Sequence, residues 1–304
     1  MPKSEILWFI SSSSRTLLGF RSVDNLQTRL VMEITEAPCH PQKVFEGLTR
    51  AFRKNDGIID KERFDTIVYK YTTLFERSDT IYHLLKVSGY PIDVIDGGYR
   101  YAPYFNDYKS DLYCIVDIET NGSKPHTSQV IEIGAVLAQD GEIKDRFETF
   151  VECAFLPDYI TKVTGIEPSD LKGAPSQKEA LLMLKEFMGE SIFVAHNASF
   201  DATFLSASMY RNGLGELGNM TVCSLDLAKK TFESERYGLA YLIQSLDIPT
   251  TIHHRAYSDA LSAFYVLKKS FENIPEYVKT SDDLIQFSTS SKKTRSKKKT
   301  KNAH

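Results

Sequence analysis

The sequence predicts an α/β domain over residues 110–273, preceded by a smaller module that is mainly helical. From residue 112 onward, short apolar runs alternate with segments whose apolar residues recur every three or four positions. Such alternation is typical of strands and amphipathic helices that pack in layers around one sheet. Before residue 106 the helical spacing dominates, and a polar stretch separates the two patterns. We therefore expect a leader and helical module at 1–109, the α/β domain at 110–273 and a polar, basic, disordered tail at 274–304.

The α/β domain should begin with three strands. Apolar or alternating segments predict them at 112–118, 129–138 and 141–152. The spacing of apolar residues then predicts a helix at 175–188 with a proline in its first turn. The remaining predicted elements are strands at 192–195 and 221–224 and helices at 200–211, 225–231, 239–246 and 256–269.

Residues 43–101 predict three helices and a β-hairpin. Phe45, Leu48 and Phe52 begin the helical spacing, and similar runs follow at 64–71 and 81–85. A Gly-Gly pair between two β-rich runs then indicates the hairpin. This order of elements is that of a winged-helix module, although a small helical cap that packs on its neighbour fits the pattern equally well.

The composition excludes several classes of protein. Of 304 residues, 42% are hydrophobic and 25% are charged, which is ordinary for a globular protein with a substantial core. The four cysteines lack paired spacing, which argues against a disulfide scaffold and a structural zinc site and favours a reducing compartment. The apolar run at 6–10 is too short for a signal peptide or a membrane span. We expect a cytoplasmic protein that does not contact a membrane.

Charge is distributed unevenly along the chain. The net charge is −3, but the residues from Lys292 onward include seven basic residues and no acid, so residues 1–291 hold 30 basic against 40 acidic residues, a net charge of −10. A chain segment with this net negative charge does not attract polyanions in general. Nucleic acid would therefore have to be bound by local groups, by metal ions or by the tail. The tail fits either a solubilising end or a tethered contact to nucleic acid.

Two carboxylates stand at the end of the first predicted strand. Asp117 and Glu119 flank Ile118, and alternate residues of a strand face the same side. Two like charges at close range on an apolar strand require a cation or a raised pKa. A hard divalent cation such as Mg²⁺ or Mn²⁺, bound through oxygen, would remove the repulsion. Taken alone, the pair also fits two solvated acids at an exposed strand end.

Two further acids fall in the first turns of predicted helices. Asp201 follows a buried strand, where the helix dipole favours an anion. Asp259 faces the apolar side of the last predicted helix, an unusual place for a carboxylate unless it points into a site. His254, five residues earlier, can reach the same centre only from the loop or the first turn. A histidine there suits a general base for water, whereas His253 better fits a surface role.

Together these three segments predict one site for divalent metal ions. Two ions about 3.5–4 Å apart, held by such acids, can stabilise both the attacking and the leaving oxygen of an in-line phosphoryl displacement. The ions, rather than Lys or Arg, would then meet the phosphate, which agrees with the acidic body. Each segment alone is a weak signal, whereas the ordered set of three is a strong one.

The three segments resemble the exonuclease motifs of the DEDDh 3′–5′ exonucleases. They read Asp117-Ile-Glu-Thr120, His196-Asn-x-x-Phe-Asp201 and His254-Arg-Ala-x-x-Asp-Ala260. Within that family they look most like the DnaQ-like epsilon proofreading subunit of bacterial DNA polymerase III. The sister group with a catalytic tyrosine would need Tyr at position 255, which is Arg here. The resemblance covers residues 110–272.

The resemblance implies a ribonuclease H-like fold, which is a mixed five-stranded sheet flanked by helices. It also implies two divalent metal ions, Mg²⁺ or Mn²⁺. Asp117, Glu119 and Asp259 would bind the first ion, and Asp117 would bridge to the second. Asp201 would complete the metal site.

The family further implies which residues do the chemistry. His254 would deprotonate the attacking water, and nucleoside 5′-monophosphates would leave from a 3′ end. Thr120 would contact the terminal nucleotide, and Gly122 would permit close backbone approach to it. The implied catalytic set is therefore Asp117, Glu119, Asp201, Asp259 and His254.

The leading functional hypothesis is a metal-dependent 3′–5′ DNA exonuclease that acts on single-stranded or frayed 3′ ends in a bacterial-type cytosol. It would serve either as a proofreader, with a DNA polymerase subunit as its partner, or as a stand-alone repair nuclease. A 3′–5′ exoribonuclease is the second hypothesis. The third is a non-catalytic DNA- or partner-binding protein, against which the complete set of acids argues. The 110 residues before the first motif depart from the epsilon pattern.

Overall fold

The computed structural model describes residues 41–71, 78–249 and 255–290. The leader at 1–40, the basic end at 291–304, and both His253 and His254 lie outside the described residues. The described elements comprise an N-terminal module up to residue 101 and a larger α/β part from residue 113 onward.

The N-terminal module combines three helices with a three-stranded antiparallel sheet. The sheet order is β1–β3–β2, so the predicted hairpin forms its β2–β3 part, with Gly97 in the left-handed turn at φ +80°. The strand β1 was missed because it is only three residues long; it is held by pairing with β3, where Ile59 stands opposite Tyr99. The elements are α1 Pro41–Lys54, β1 Ile58–Asp60, α2 Lys61–Tyr71, α3 Ser78–Val87, β2 Ile92–Ile95 and β3 Gly98–Tyr101.

A mixed five-stranded sheet forms the centre of the α/β domain, as the sequence predicts. Its order is β6–β5–β4–β7–β8; the first three strands form an antiparallel meander, whereas β7 and β8 run parallel to β4. The central position of β4 explains its nearly continuous apolar sequence, since it is covered on both faces. The strands are β4 Tyr113–Thr120, β5 Val130–Gln139, β6 Glu142–Phe150, β7 Ile192–Ala195 and β8 Thr221–Cys223.

Helices cover both faces of this sheet and make two separate cores. On one face Val116 and Ile118 pack with α6 and α7, and on the other Ile115 packs with α10 and α11. Because residues of β4 alternate between these faces, odd-numbered residues such as Asp117 share the α10 side. The helices are α4 Asp158–Thr164, α5 Pro168–Leu171, α6 Gln177–Met188, α7 Ala198–Arg211, α8 Ser224–Thr231, α9 Leu239–Ser245, α10 Ala256–Phe271 and α11 Ser281–Thr289.

Helix α11 corrects the expectation of a disordered tail from residue 274. Leu284 and Ile285 are buried in the core beneath α10. The Thr280 side chain caps the helix by accepting a hydrogen bond from the Asp283 N–H, and Asp283 bonds back to the Thr280 N–H. The helix was missed because its polar residues dominate the composition, while Leu284, Ile285 and the partly buried Phe287 are enough to pack it on a sheet edge.

Asp282 explains how α11 joins the two parts of the chain. This carboxylate is 1% exposed and accepts hydrogen bonds from Arg53 of α1, with Nη2–Oδ1 at 2.7 Å and Nε–Oδ2 at 2.9 Å. Tyr101 of β3 donates its hydroxyl to Oδ1 at 3.2 Å, and Gln286 donates to Oδ2 at 2.8 Å. An acid in the supposed tail is therefore the buried link between the module and the α/β domain.

We expect Asp282→Ala to lower the free energy of unfolding by about 2–3 kcal/mol, because it leaves the buried Tyr101 hydroxyl and part of the Arg53 guanidinium without an acceptor. Urea denaturation measures this loss. Asp226→Ala is the control, since it removes an exposed carboxylate whose ion pair with Lys229 should contribute below about 0.5 kcal/mol. Equal losses in the two variants would contradict the linking role of Asp282.

Candidate active site

Two carboxylates lie at the carboxyl end of strand β4. Asp117 and Glu119 lie on the same face of the strand, two residues apart, near its carboxyl end. Oxygen atoms of Asp117, Glu119 and Asp259 lie within 4.8 Å of one another, and all three side chains are partly exposed. The structure thus brings together three acids that are separated by up to 142 positions in the sequence. We call these three residues the carboxylate triad.

Asp259 reaches the triad because α10 begins close to the sheet. The helix starts at Ala256, so Asp259 lies in its first turn. Gly134 of β5 makes this close approach possible, since a side chain there would collide with the backbone of Ala256 and Tyr257. The glycine thus allows the helix to pack directly on the strand next to β4.

Asp201 approaches from the other face of the sheet. Asn197, at the end of β7, adopts the left-handed conformation with φ +81°, and this sharp turn starts α7. Asp201 lies in the first turn of α7, is 4% exposed and accepts a hydrogen bond from the backbone N–H of Ile118. It is not one of the triad, yet its charge is close enough to raise the pKa of Asp117.

Burial and mutual repulsion raise the pKa values of these acids. Burial raises the pKa of Asp117 well above its usual range, and the charges of Asp201, Asp259 and Glu119 raise it further. Burial raises the pKa of Glu119 to about 7, with the charge of Asp259 as the next cause. Burial likewise raises the pKa of Asp201 to about 7. The protein therefore holds several carboxyls where their ionised forms repel one another.

The donor set fits a hard divalent cation. Three carboxylates whose oxygens span less than 5 Å offer only oxygen ligands, which Mg²⁺, Mn²⁺ and Ca²⁺ accept. A bound cation would offset the repulsion among these carboxylates. Asp117, Glu119 and Asp259 are therefore the residues that could hold such an ion. Their assignment as metal ligands, and that of Asp201, stays a prediction.

Thr120 and Gly122 lie where the chain leaves β4. The pairing of β4 with β5 is irregular between Glu119 and Thr120, and the Thr120 hydroxyl donates to the Gly122 carbonyl at 2.9 Å. A side chain at Gly122 would meet the Ser128 hydroxyl across the loop, so the glycine keeps this loop narrow. Their predicted role in nucleotide contact remains untested, although both border the end of the triad strand.

The other motif histidine has a structural environment. His196 bonds through Nδ1 to the Ser224 hydroxyl at 3.0 Å and through Nε2 to the Tyr237 carbonyl at 2.8 Å. Burial lowers its pKa. With both ring nitrogens engaged, His196 joins the end of β7 to the segment before α9, and the proposed base remains His254.

Sequence reasoning missed two residues beside the triad, Glu132 and Arg255. Glu132 is buried on β5 and binds the Arg255 guanidinium, with Nη2–Oε1 at 2.8 Å. A signal existed in the sequence, because Glu132 is the one charged residue in the apolar run 130–138. A lone charge inside a central strand indicates a specific partner.

Comparison with known proteins agrees with this geometry. A family model described as Exonuclease matches residues 114–267, half of the chain. The chain belongs to this exonuclease family. The match begins in β4 and ends in α10, so it spans every element that contributes to the triad.

The similar curated proteins are large bacterial polymerases. The "DNA polymerase III PolC-type" of Staphylococcus haemolyticus is 37% identical over 179 residues, which are 58% of this chain and 12% of that protein. The PolC-type protein of Clostridium perfringens is 37% identical over 168 residues, 55% of this chain and 12% of its own length. The chain therefore spans about an eighth of the length of these relatives. Their names point to the polymerase III group that the motifs resemble.

Solved structures show the same fold at low sequence identity. Escherichia coli Exonuclease I in complex with a dT13 oligonucleotide has a TM-score of 0.50 and 15% identity, covering 55% of this chain and 42% of that chain. Another structure of Exonuclease I has a TM-score of 0.51 and 14% identity, and the match covers 58% of this chain and 43% of that chain. These neighbours confirm the predicted mixed five-stranded fold. Within the described residues, no helix has the length and apolar character needed to cross a membrane.

The raised pKa values predict how pH and metal ions affect stability. Because the folded pKa of Glu119 and Asp201 is about 7, the folded chain holds protons that the unfolded chain releases near pH 4. Without divalent cations, their contribution to the free energy of unfolding should fall as pH rises from about 4 to about 7. MgCl₂ or MnCl₂ should therefore raise Tm more at about pH 8 than at about pH 5.5, because the cation binds the ionised carboxylates.

Thermal denaturation with and without the salt measures this effect. Asp117→Asn should remove most of the cation-induced shift at the higher pH. A shift that is independent of pH, or that survives this substitution, would show that the cation binds elsewhere.

Proposed function

We propose that this chain is a metal-dependent 3′–5′ exonuclease that hydrolyses DNA from its 3′ ends and releases nucleoside 5′-monophosphates. The single observation that supports this most is the convergence of Asp117, Glu119 and Asp259 within 4.8 Å, in a domain that belongs to the exonuclease family. The neighbouring Asp201 adds a fourth acid at the same cleft.

The proposed cofactor is a pair of Mg²⁺ or Mn²⁺ ions. When bound, such ions neutralise charge on the phosphate that is cleaved and favour ionisation of water near neutral pH. The chain's part is to hold them: Asp117 from the centre of the sheet, Glu119 from the same strand and Asp259 from α10. Asp201, bonded to the backbone of β4, would complete the site from the other face of the sheet.

His254 is the proposed general base. It immediately precedes Arg255, the residue that bonds to Glu132 of β5, and is five residues before Asp259 in the sequence. A neutral imidazole can accept a proton from water near pH 7, where the carboxylates are engaged with cations. Thr120 and Gly122, at the end of β4, are the proposed contacts to the terminal nucleotide.

A polymerase partner and a bacterial cytosol complete the proposal. The PolC-type relatives suggest that the chain works beside a DNA polymerase III, as an epsilon-like proofreader or in repair. The matched Exonuclease I structure contains single-stranded dT13, which supports a single-stranded or frayed DNA 3′ end as the substrate.

Digestion of end-labelled oligonucleotides tests the proposed polarity and sugar preference. With Mg²⁺ or Mn²⁺, the wild-type chain should shorten 5′-labelled single-stranded DNA one nucleotide at a time, and 3′-labelled DNA should release labelled mononucleotide at once. Asp117→Asn should reduce turnover at least about 1,000-fold while Tm without cation is kept or raised. Faster digestion of the matched RNA would replace the DNA assignment by an exoribonuclease, and absence of metal-dependent cleavage of either polymer would reject the nuclease.

The two adjacent histidines provide a matched test of the base. At Mg²⁺ concentrations that saturate the carboxylates, His254→Ala should lower kcat about 100-fold or more and alter the pH–rate profile, because a positioned base contributes about 10²–10⁴-fold. His253→Ala should leave the pH–rate profile unchanged. If both substitutions have the same small effect, the proton acceptor is another group.

A further inference from the structure

An ion pair between a buried carboxylate and a partly exposed guanidinium lies next to the carboxylate triad. Glu132 is 3% exposed and stands opposite Glu119 in the antiparallel pairing of β5 with β4. Its Oε1 accepts hydrogen bonds from Arg255, with Nε at 3.0 Å and Nη2 at 2.8 Å, and its Oε2 accepts the N–H of Ala256 at 3.0 Å. One carboxylate of the sheet therefore holds both the residue before α10 and the first residue of that helix.

This attachment replaces a cap that the helix lacks. Arg255 is the N-cap residue of α10, and its own side chain makes no capping hydrogen bond to the helix. The first N–H groups of a helix need acceptors from outside it, and Glu132 supplies one from the neighbouring strand. Because this acceptor belongs to β5, the start of α10 is fixed relative to the sheet.

Two more contacts restrict the same turn. The Arg255 guanidinium lies over the ring of Phe150 on β6, 5.2 Å from its centroid. Two residues beyond Glu132 on β5, Gly134 allows the backbone of Tyr257 to touch the strand. The first turn of α10, which carries Asp259, is thus held by two strands of the sheet.

The Glu132 carboxylate adds negative charge beside the triad. Its charge raises the pKa of both Asp117 and Glu119, whereas the charge of Arg255 lowers the pKa of Glu119. An ion pair with one partly exposed partner contributes little to stability by charge alone. The pair fixes the orientation of the Arg255 side chain relative to Glu132, because the planar guanidinium binds one carboxylate oxygen through two nitrogens.

We propose that Glu132 and Arg255 are positioning residues that set the first turn of α10, so that Asp259 meets Asp117 and Glu119 at a distance one divalent cation can span. The pair acts through Asp259 and does not itself contact the cation. Groups that orient metal ligands commonly change metal affinity or activity by about 10–100-fold when they are removed. The turnover part of this inference rests on the proposed function, whereas the metal-binding part does not.

Mn²⁺ titration of the full chain tests the inference directly. Isothermal titration calorimetry should show that Arg255→Met and Glu132→Gln each weaken Mn²⁺ binding about tenfold or more. Arg255→Lys keeps the charge but loses the planar guanidinium, so its Mn²⁺ affinity should lie between that of Arg255→Met and that of the wild type. The double variant should bind about as weakly as the weaker single variant, because both substitutions break one interaction.

Lys268→Met is the matched control. Lys268 ties the other end of the same helix to the sheet through the Gly141 carbonyl at 3.1 Å, so its loss should leave Mn²⁺ affinity unchanged. On single-stranded DNA, Arg255→Met should lower kcat about tenfold or more with KM within about twofold, because the geometry of the ligands is altered and not the binding of the strand.

Unchanged Mn²⁺ affinity in both Arg255→Met and Glu132→Gln, with circular dichroism showing folded protein, would overturn the inference even if Tm falls. An equal loss in Lys268→Met would also overturn it, since any loosening of α10 would then suffice. If Arg255→Met does not fold, the Mn²⁺ titrations of Glu132→Gln and Arg255→Lys test the inference instead. Unchanged affinity in both of them would then overturn it. A wild-type chain that binds Mn²⁺ but cleaves no 3′ end would reject the proposed function and leave the titration to judge the positioning role.

Discussion

Crowding of like charges at the end of one central strand is the constraint on which the rest of this structure depends. Asp117 and Glu119 share a face of β4, and Asp259 joins them within 4.8 Å. Burial raises the pKa of Glu119 to about 7, and the neighbouring charge of Asp259 adds to the rise. The fold supplies the energy that holds these acids together from the burial of apolar side chains on both faces of the sheet.

Each acid is brought to the cleft by a different backbone feature. The alternation of β4 aims Asp117, the left-handed turn at Asn197 starts the helix that carries Asp201, and Gly134 lets α10 approach with Asp259. These features lie on separate elements, so the site exists only when the whole sheet and its two helix layers are assembled. The triad is consequently a property of tertiary structure, although its members can be found in the sequence.

The sequence predicted the five strands and the acids but not the contacts that orient them. Periodicity gave the strands, because buried central strands such as β4 and β5 are continuously apolar. The motifs named Asp117, Glu119, Asp201 and Asp259; the structure brings the first two and Asp259 within 4.8 Å of one another, and Asp201 lies close enough to raise the pKa of Asp117. The three-residue β1, the docked helix α11 and the partner of Glu132 could not be predicted, since each depends on residues more than 35 positions away. The spacing of apolar residues indicates which local segments are buried. The strand β1, the helix α11 and the Glu132 ion pair instead depend on contacts between residues far apart in the sequence.

The distribution of cations in the N-terminal module limits how a polyanion can be bound. Arg53 is bonded to Asp282, and Lys86 and Arg100 are bonded to acids, Lys86 to Glu190 and Arg100 to Asp93. These cations therefore hold the module to the α/β domain or hold its own strands, and their charge is largely neutralised within the chain. With a net charge of −10 over residues 1–291, this part of the chain presents little overall electrostatic attraction to a phosphate backbone. Divalent cations held by the triad would convert this cluster of acids into a site for phosphate, and the seven basic residues from Lys292 onward are a second source of positive charge. The acidic composition and the acidic site are thus consistent with each other, because the carboxylates of the site would bind the ions that attract phosphate.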